Sequence, residues 1–336
     1  MKAVGFYQPL PIDHPQALVD IELPEPALGD HDLLVEIKAI SVNPVDMKVR
    51  SSATPADGQA RVLGWDASGI VRALGAKASR FKVGDRVWYA GDLTRQGSNA
   101  ELQAVDERIV GPMPTSLDFA EAASLPLTAI TAWELLFERL KVQNLDPSAR
   151  SALLVIGAAG GVGSILIQLA RQLTGLTVIG TASRPQTREW VLARGAHHVI
   201  DHSQPWAAQL AEQGIDQVAC VIGLNHTDSY IDQIVEVLQP EGQLALIDDP
   251  KSFDIVPFKR KSLSVHWELM FTRSLFKTEQ QIAQHRLLRR VAELVDAGVV
   301  THTLTERLQG IDAATLKQAH RLIESGATRG KIVLER

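Results

Sequence analysis

Over the first 110 or so residues, apolar and polar positions alternate in short segments broken by Pro and Gly. Leu33-Leu34-Val35-Glu36-Ile37-Lys38-Ala39-Ile40 is such a run, and a period near two signals a β-strand. Gly64, Gly69, Gly75 and Gly84 recur close together, and Val83-Gly84-Asp85-Arg86-Val87 places a tight turn ahead of an apolar strand. A small, irregular, β-rich domain is expected here. After Leu117 the texture becomes helical, in Phe119-Ala120-Glu121-Ala122-Ala123-Ser124 and again in Thr131-Ala132-Trp133-Glu134-Leu135-Leu136. These segments read as a bridge between domains.

From Ala152 onward, apolar runs of strand length alternate with amphipathic stretches. The runs are Leu153-Leu154-Val155-Ile156, Thr177-Val178-Ile179, His198-Val199-Ile200, Val218-Ala219-Cys220-Val221-Ile222 and Leu244-Ala245-Leu246-Ile247. Such alternation predicts an α/β fold with a doubly wound parallel sheet. Beyond Val265 the pattern predicts one strong helix over 283–297 and a closing strand at Lys331-Ile332-Val333-Leu334.

Length agrees with two domains of ordinary size, the chain having 336 residues. Its 45% hydrophobic and 22% charged residues suit a soluble globular protein with filled cores. A net charge of -5 gives no global pull toward nucleic acid or anionic membrane, although a local basic patch remains compatible with it. Cys220 is the one cysteine, which excludes an intrachain disulfide and any multi-cysteine metal cluster, and fits a reducing, cytoplasmic home. The start of the chain soon meets Pro9 and Pro11 and does not read as a signal peptide, and no later stretch has the roughly 20 apolar residues of a membrane span.

The most informative segment is Val155-Ile156-Gly157-Ala158-Ala159-Gly160-Gly161-Val162-Gly163, which follows an expected strand and opens an expected helix. A pyrophosphate must approach backbone N–H groups at such a helix N-terminus, where a side chain would block it. Gly160 fits that closest position, and Gly163 permits tight helix-to-strand packing. Ala158 stands where the dinucleotide fingerprint has its first glycine, so the strict match fails by one residue. The second strand then runs into Thr181-Ala182-Ser183-Arg184-Pro185, with Arg188 one turn on. Hydroxyl and guanidinium groups suit a 2′-phosphate, whereas NAD-selective sites place an acid there, so NADPH is the expected cofactor.

With these residues placed, most of the chain resembles the medium-chain dehydrogenase/reductase superfamily, in the quinone oxidoreductase-like branch often called zinc-type alcohol dehydrogenase-like. The landmarks are Ser41-Val42-Asn43-Pro44-Val45-Asp46, Leu63-Gly64-Trp65-Asp66-Ala67-Ser68-Gly69, Val83-Gly84-Asp85-Arg86-Val87, Leu125-Pro126-Leu127-Thr128-Ala129-Ile130-Thr131-Ala132 and the Ala158-x-Gly160-x-x-Gly163 turn. The resemblance implies a GroES-like β-rich domain over 1–125, a Rossmann NADPH-binding domain over 126–265, and a C-terminal segment, 266–336, that completes the first domain. It also implies a homodimer and an active site in the cleft between domains. Zinc-dependent relatives hold their catalytic metal with a cysteine in the first landmark and a Gly-His-Glu in the second. Here Asn43 and Trp65-Asp66 stand in those places, and one carboxylate cannot build a zinc site. No metal is expected.

By the same resemblance, Asn43 and Thr128 lie near the nicotinamide, and Ala159, Gly160, Gly161 and Val162 cradle the pyrophosphate. Ser183, Arg184 and Arg188 take the 2′-phosphate, and His202 stacks near the adenine. Backbone around Leu246-Ile247 meets the carboxamide, and Arg329 or Lys331 reaches back to the phosphates. Met47, Trp65, Trp88, Trp267 and Phe271 are either walls for a planar substrate or ordinary core. Asp66, at the relic metal position, is either a proton donor or a hydrogen-bond acceptor that fixes a turn. Asn43 is either a cofactor contact or the turn residue ahead of Pro44.

Without zinc there is no Lewis acid to stabilise an alkoxide, so the substrate must carry the charge that arrives with hydride, as an enone or quinone does. The expected activity is zinc-independent, NADPH-dependent reduction of a conjugated carbonyl. Two other readings stay open: a reductase or dehydrogenase of another carbonyl or alcohol, and an NADPH-binding sensor with little catalysis. Net charge and the lack of a basic, aromatic-rich run disfavour a nucleic-acid partner.

Overall fold

The computed structural model describes residues 1–145 and 151–336, which divide into two compact units. Unit 1 comprises Met1–Ile130 and Phe271–Arg336, and unit 2 is Thr131–Met270.

The N-terminal part of unit 1 carries β1 (Lys2–Phe6), β2 (Val19–Glu22), β3 (Asp32–Ser41), α1 (Pro44–Ser52), β4 (Arg61–Val62) and β5 (Ala67–Leu74). It continues with β6 (Arg86–Tyr89), β7 (Leu102–Asp106), β8 (Val110–Pro112) and α2 (Phe119–Ala123), and α3 (Pro126–Trp133) crosses the unit boundary. Unit 2 holds β9 (Ala152–Ile156), α4 (Gly161–Leu173), β10 (Thr177–Thr181), α5 (Pro185–Ala193), β11 (His198–Ile200) and α6 (Trp206–Glu212). It ends with β12 (Val218–Gly223), α7 (Ile231–Val237), β13 (Leu238–Leu246) and β14 (Ser264–Trp267). The chain then returns to unit 1 as α8 (Thr272–Leu275), α9 (Ile282–Asp296), β15 (Leu304–Gln309), α10 (Ala313–Glu324) and β16 (Lys331–Glu335).

In unit 1 the sheet order is β15-β16-β3-β5-β6-β8, with β7 also paired to β3, and a smaller sheet has the order β2-β1-β4. Antiparallel pairing dominates, as a GroES-like β-rich unit requires. The alternation read in β3 is real: Leu33, Val35, Ile37 and Ala39 are fully buried while Glu36 and Lys38 are half-buried and pair with each other. Gly84 (φ 94°) makes the turn before β6, in the left-handed region where glycine meets no steric cost. β16 closes the unit by running antiparallel to β3, Val333 opposite Ser41.

Unit 2 is a Rossmann sheet, ordered β11-β10-β9-β12-β13-β14 with every pair parallel. All five residues of β9 are buried, because a central parallel strand is covered on both faces. Strand order reverses between β10 and β12 on either side of β9, the switch point where ligands bind in open α/β sheets.

Two local expectations change. The second helical stretch ends as α3 at Trp133 and continues as a π-helical turn over Glu134–Arg139. α10 escapes the sequence pattern because its buried face is made of Ala313, Leu316, Ala319 and His320, two alanines and a histidine that leave little apolar signal. His197 lies just ahead of β11, its ring 6.5 Å from that of His198, and Val178 N–H donates to His197 Nδ1 at 2.9 Å. Among the described residues no helix is long and apolar enough to cross a membrane.

Candidate functional site

In unit 2 the glycine-rich turn links β9 to α4, with Gly160 as the helix N-cap. Its φ of -71° is open to any residue, and a Cβ built there meets only Gly157 O, at 3.5 Å. Neither backbone conformation nor packing within the protein demands glycine at 160. The bare face lies at the positive end of a 13-residue helix, where a phosphate would need it. Gly163 differs: a Cβ there falls 2.4 Å from Ala158 O, so close packing of α4 on the turn requires glycine. Gly157 takes a positive φ of 76° and faces Asn225, whose Oδ1 lies 2.5 Å from the place of a Cβ. Ala159, Gly161 and Val162 are half-buried around the same turn.

Beside the turn, β10 delivers Ser183 and Arg184 to the surface, both exposed, with Arg184 as the N-cap of α5. No acid intervenes between Thr181 and Arg188. Arg188 is used differently from its neighbour. Its guanidinium donates to Ala182 O at 3.1 Å and Val199 O at 2.9 Å, tying the end of β10 to β11. The His202 ring stands edge-on to Tyr230, centroids 6.3 Å apart, while its carbonyl accepts from Trp206 Nε1 at 3.3 Å. At the end of β13, Ile247 N–H donates to Gly223 O at 3.2 Å and Leu246 O accepts from Glu268 N–H at 3.0 Å, so both groups are engaged in the sheet.

In unit 1 the residues singled out around the first two landmarks form one buried polar knot. Asp66 Oδ2 accepts from Ser41 Oγ at 2.8 Å, Asn43 Nδ2 at 3.1 Å and Lys331 Nζ at 3.1 Å, and Oδ1 accepts from Leu127 N–H at 3.0 Å. Four donors converge on the two oxygens of that carboxylate, so Asp66 is placed as an acceptor that ties the turn to its neighbours. The Lys331 ammonium divides its three N–H bonds among Asp66, Val42 O at 3.0 Å and Asn43 Oδ1. Resemblance gave Arg329 or Lys331 to the cofactor phosphates; here Lys331 is an internal counter-ion, buried because β16 carries it under the first landmark. Burial pushes the Asp66 carboxyl up and the Lys331 ammonium down, and each restrains the other's shift.

Asn43 likewise has its side chain occupied, by Asp66, Lys331 and Ser41 O at 3.4 Å. Asp46 was not singled out from sequence. It accepts from Asn43 N–H at 2.8 Å and Gly64 N–H at 3.0 Å, and burial raises its pKa to about 7. The signal for it was present: Asn-x-x-Asp before a helix is a capping pattern, and α1 begins at Pro44. Thr128 is buried and donates to Leu125 O at 3.0 Å.

Of the aromatic candidates, Trp65 and Phe271 meet edge-on, centroids 6.4 Å apart, and Trp65 Nε1 donates to Asp92 O at 3.2 Å. Trp88 is a core residue: it is fully buried on β6, and its indole nitrogen lies 2.8 Å from where a Cβ on Gly111 would stand. Met47 is half-buried on α1. Trp267, 55% exposed, stands edge-on to Phe253 in unit 2. Arg329 is exposed, and its carbonyl accepts from Thr305 Oγ1 at 2.7 Å.

A family profile described as "Alcohol dehydrogenase GroES-like domain" matches residues 29–115, and one described as "Zinc-binding dehydrogenase" matches 194–334. The chain is 38% identical over 340 residues to a zinc-type alcohol dehydrogenase-like protein of Staphylococcus epidermidis, covering 99% of each. It is 33% identical over 223 residues to mouse quinone oxidoreductase, covering 66% of this chain and 62% of the mouse protein. The chain belongs to the medium-chain dehydrogenase/reductase superfamily, in its quinone oxidoreductase-like branch. A crystal structure from Rhizobium etli CFN 42, of a protein assigned by name to the zinc-dependent alcohol dehydrogenases, superposes with a TM-score of 0.97 at 56% identity, covering 100% of this chain and 98% of that one.

The zinc in these names does not fit this chain's residues. An amide and an indole occupy ligand positions 43 and 65, and the remaining carboxylate, Asp66, is engaged by an ammonium and three other donors and is one ligand where a catalytic zinc takes three. A nicotinamide dinucleotide does fit, since the turn at Gly160 offers a bare helix N-terminus that packing leaves open.

Proposed function

We propose that this oxidoreductase is a zinc-independent, NADPH-dependent reductase of small conjugated carbonyls, quinones or enones. The observation that carries the reading is the bare Gly160 N-cap beside a strand end whose exposed side chains are a hydroxyl and a guanidinium. N–H groups of Gly161 and Val162 are suited to the pyrophosphate, while Ser183 and Arg184 suit a 2′-phosphate that an acid would repel. The bound nucleotide supplies the hydride. The protein's part is to bind, orient and exclude water.

The landmark polar residues favour a substrate that carries its own charge. Asn43, Asp66 and Lys331 are tied to one another, and Thr128 to a backbone carbonyl, so none is poised as an acid for a plain alkoxide. In a quinone or enone the arriving charge spreads onto a conjugated oxygen, and the final proton can come from water. We further propose a homodimer. Among the described residues β14 is a sheet edge that ends in Trp267, 55% exposed, and follows Val256, 72% exposed, and a second copy would cover it. The lone cysteine, Cys220, is buried with its thiol pushed up to about 12, which suits a reducing cytoplasm.

The deciding experiment titrates chelator-treated protein with NADPH and NADH, then follows nicotinamide absorbance with a panel of quinones, enones and plain ketones. NADPH preference and chelator-resistant turnover on the conjugated members are expected. Tight NADPH binding without turnover on any member would favour a sensor, and failure of folded protein to bind either nucleotide would overturn the reading.

A further inference from the structure

Unit 1 carries a second cationic site that the reductase reading does not use. Arg80, His285, Arg286, Arg289, Arg290 and Glu293 line a cavity of about 330 Å³. Arg286, Arg289 and Arg290 are brought together by helical spacing on α9, and Arg80 comes from the loop between β5 and β6. Glu293 is the one carboxylate in the lining and is shared by Arg289 at 3.3 Å and Arg290 at 3.2 Å. Arg80 and Arg286 have no carboxylate partner among the described residues. A chain of net charge -5 therefore concentrates a surplus of guanidinium groups around one concavity.

The frame of this cavity is pinned from beneath. Glu107, itself buried, accepts from Ser79 N–H at 2.9 Å and Arg80 N–H at 2.7 Å, which fixes the loop. His285 Nδ1–H donates to Val110 O at 2.7 Å, and the ring stands edge-on to Phe81 with centroids 5.7 Å apart. That bond leaves Nε2 as the nitrogen that takes up a proton. Guanidinium groups favour bidentate contact with phosphate oxygens, and a cavity of this size holds two linked phosphates but no folded macromolecule.

We propose that this cavity binds a compact polyanion of the pyrophosphate type, free or carried on an organic phosphate, independently of the glycine-rich turn. Occupancy has a built-in reporter. Burial holds the His285 pKa down, Arg80 and Arg289 add to that effect, and Glu107 opposes it. A bound anion offsets the two arginines, so His285 takes up its proton at higher pH.

The test is calorimetric titration with inorganic pyrophosphate of wild type, the exposed-residue variant Arg286→Gln/Arg290→Gln, and Gly160→Ala. Gly160→Ala is expected to keep this cavity at wild-type affinity and to lose only the separate pyrophosphate that the turn takes, and the arginine variant to bind at the cavity about tenfold weaker or worse at unchanged melting temperature. Proton NMR of the histidine ring should show His285 titrating at higher pH with pyrophosphate present. Equal binding at the cavity by the arginine variant, loss of the cavity's binding in Gly160→Ala, saturation only by a long polyanion such as RNA, or no saturation at all would each overturn the proposal.

Discussion

Lys331 Nζ and Asp66 Oδ2 lie 3.1 Å apart with side chains 4% and 0% exposed, an ion pair sealed inside the β-rich unit. Removing one partner strands a buried charge, which typically costs about 3–5 kcal/mol, whereas replacing both by apolar groups is often near neutral. Lys331→Met should therefore unfold at much lower denaturant, and Lys331→Met/Asp66→Leu should recover most of the loss. A single variant as stable as wild type would show that the pair carries no weight.

Gly160 and Gly163 make opposite predictions although they stand three residues apart. Gly160→Ala fits its surroundings, with 3.5 Å to the nearest atom, so stability should hold while NADPH affinity drops. Gly163→Ala forces a Cβ to 2.4 Å from backbone, and should lose roughly 1–3 kcal/mol in thermal or chemical unfolding. Comparing melts with nucleotide titrations separates the two effects.

The basic residues after β10 should likewise divide. Ser183→Asp and Arg184→Ala are expected to lower NADPH affinity about tenfold or more while sparing NADH, since a charged hydrogen bond is worth about 1.5–3 kcal/mol. Arg188→Ala should instead cost stability, because its guanidinium holds Ala182 O and Val199 O. The readouts are the ratio of dissociation constants for the first pair and the unfolding midpoint for the third.

Acid sensitivity should trace in part to His320. Burial, aided by Arg50, lowers its pKa from 6.5 to about 3, and neither ring nitrogen has a partner among the described residues. Between those values the unfolded chain binds the proton and the native chain does not, so this contribution is complete above pH 6.5 and is lost as pH falls toward 3. His320→Leu should flatten the stability profile over that window by about 1.4 kcal/mol per pH unit. An unchanged slope would move the acid sensitivity elsewhere.

Five of the six strands of the parallel sheet were legible because each is an apolar run of its own, whereas β14, Ser-Val-His-Trp, carries no such signal; Gly160 and Gly163 were legible because their spacing reports a strand-turn-helix. Lys331 was not, since a lysine opening the apolar run Lys-Ile-Val-Leu looks like a solvated strand end until β16 is seen pairing with β3. Trp88 stayed open between wall and core for a related reason. Aromatic composition suggests a wall, but only the position of β6 against Gly111 shows that the ring fills the interior. Sequence spacing reports faces within one element, whereas these residues take their roles from elements far apart in the chain.

Ala158 shows how a degenerate motif stays functional in shape. A Cβ built on Gly180 of β10 would stand 2.8 Å from the Cβ of Ala158, so the methyl group gained at the turn sits against a residue that has none. The two positions therefore trade volume across neighbouring segments, and should vary together among relatives, with Ala158 accompanied by a small residue at 180. A search that insists on glycine at all three fingerprint positions passes over chains of this kind. A search that allows the missing glycine to reappear on the adjacent strand recovers them.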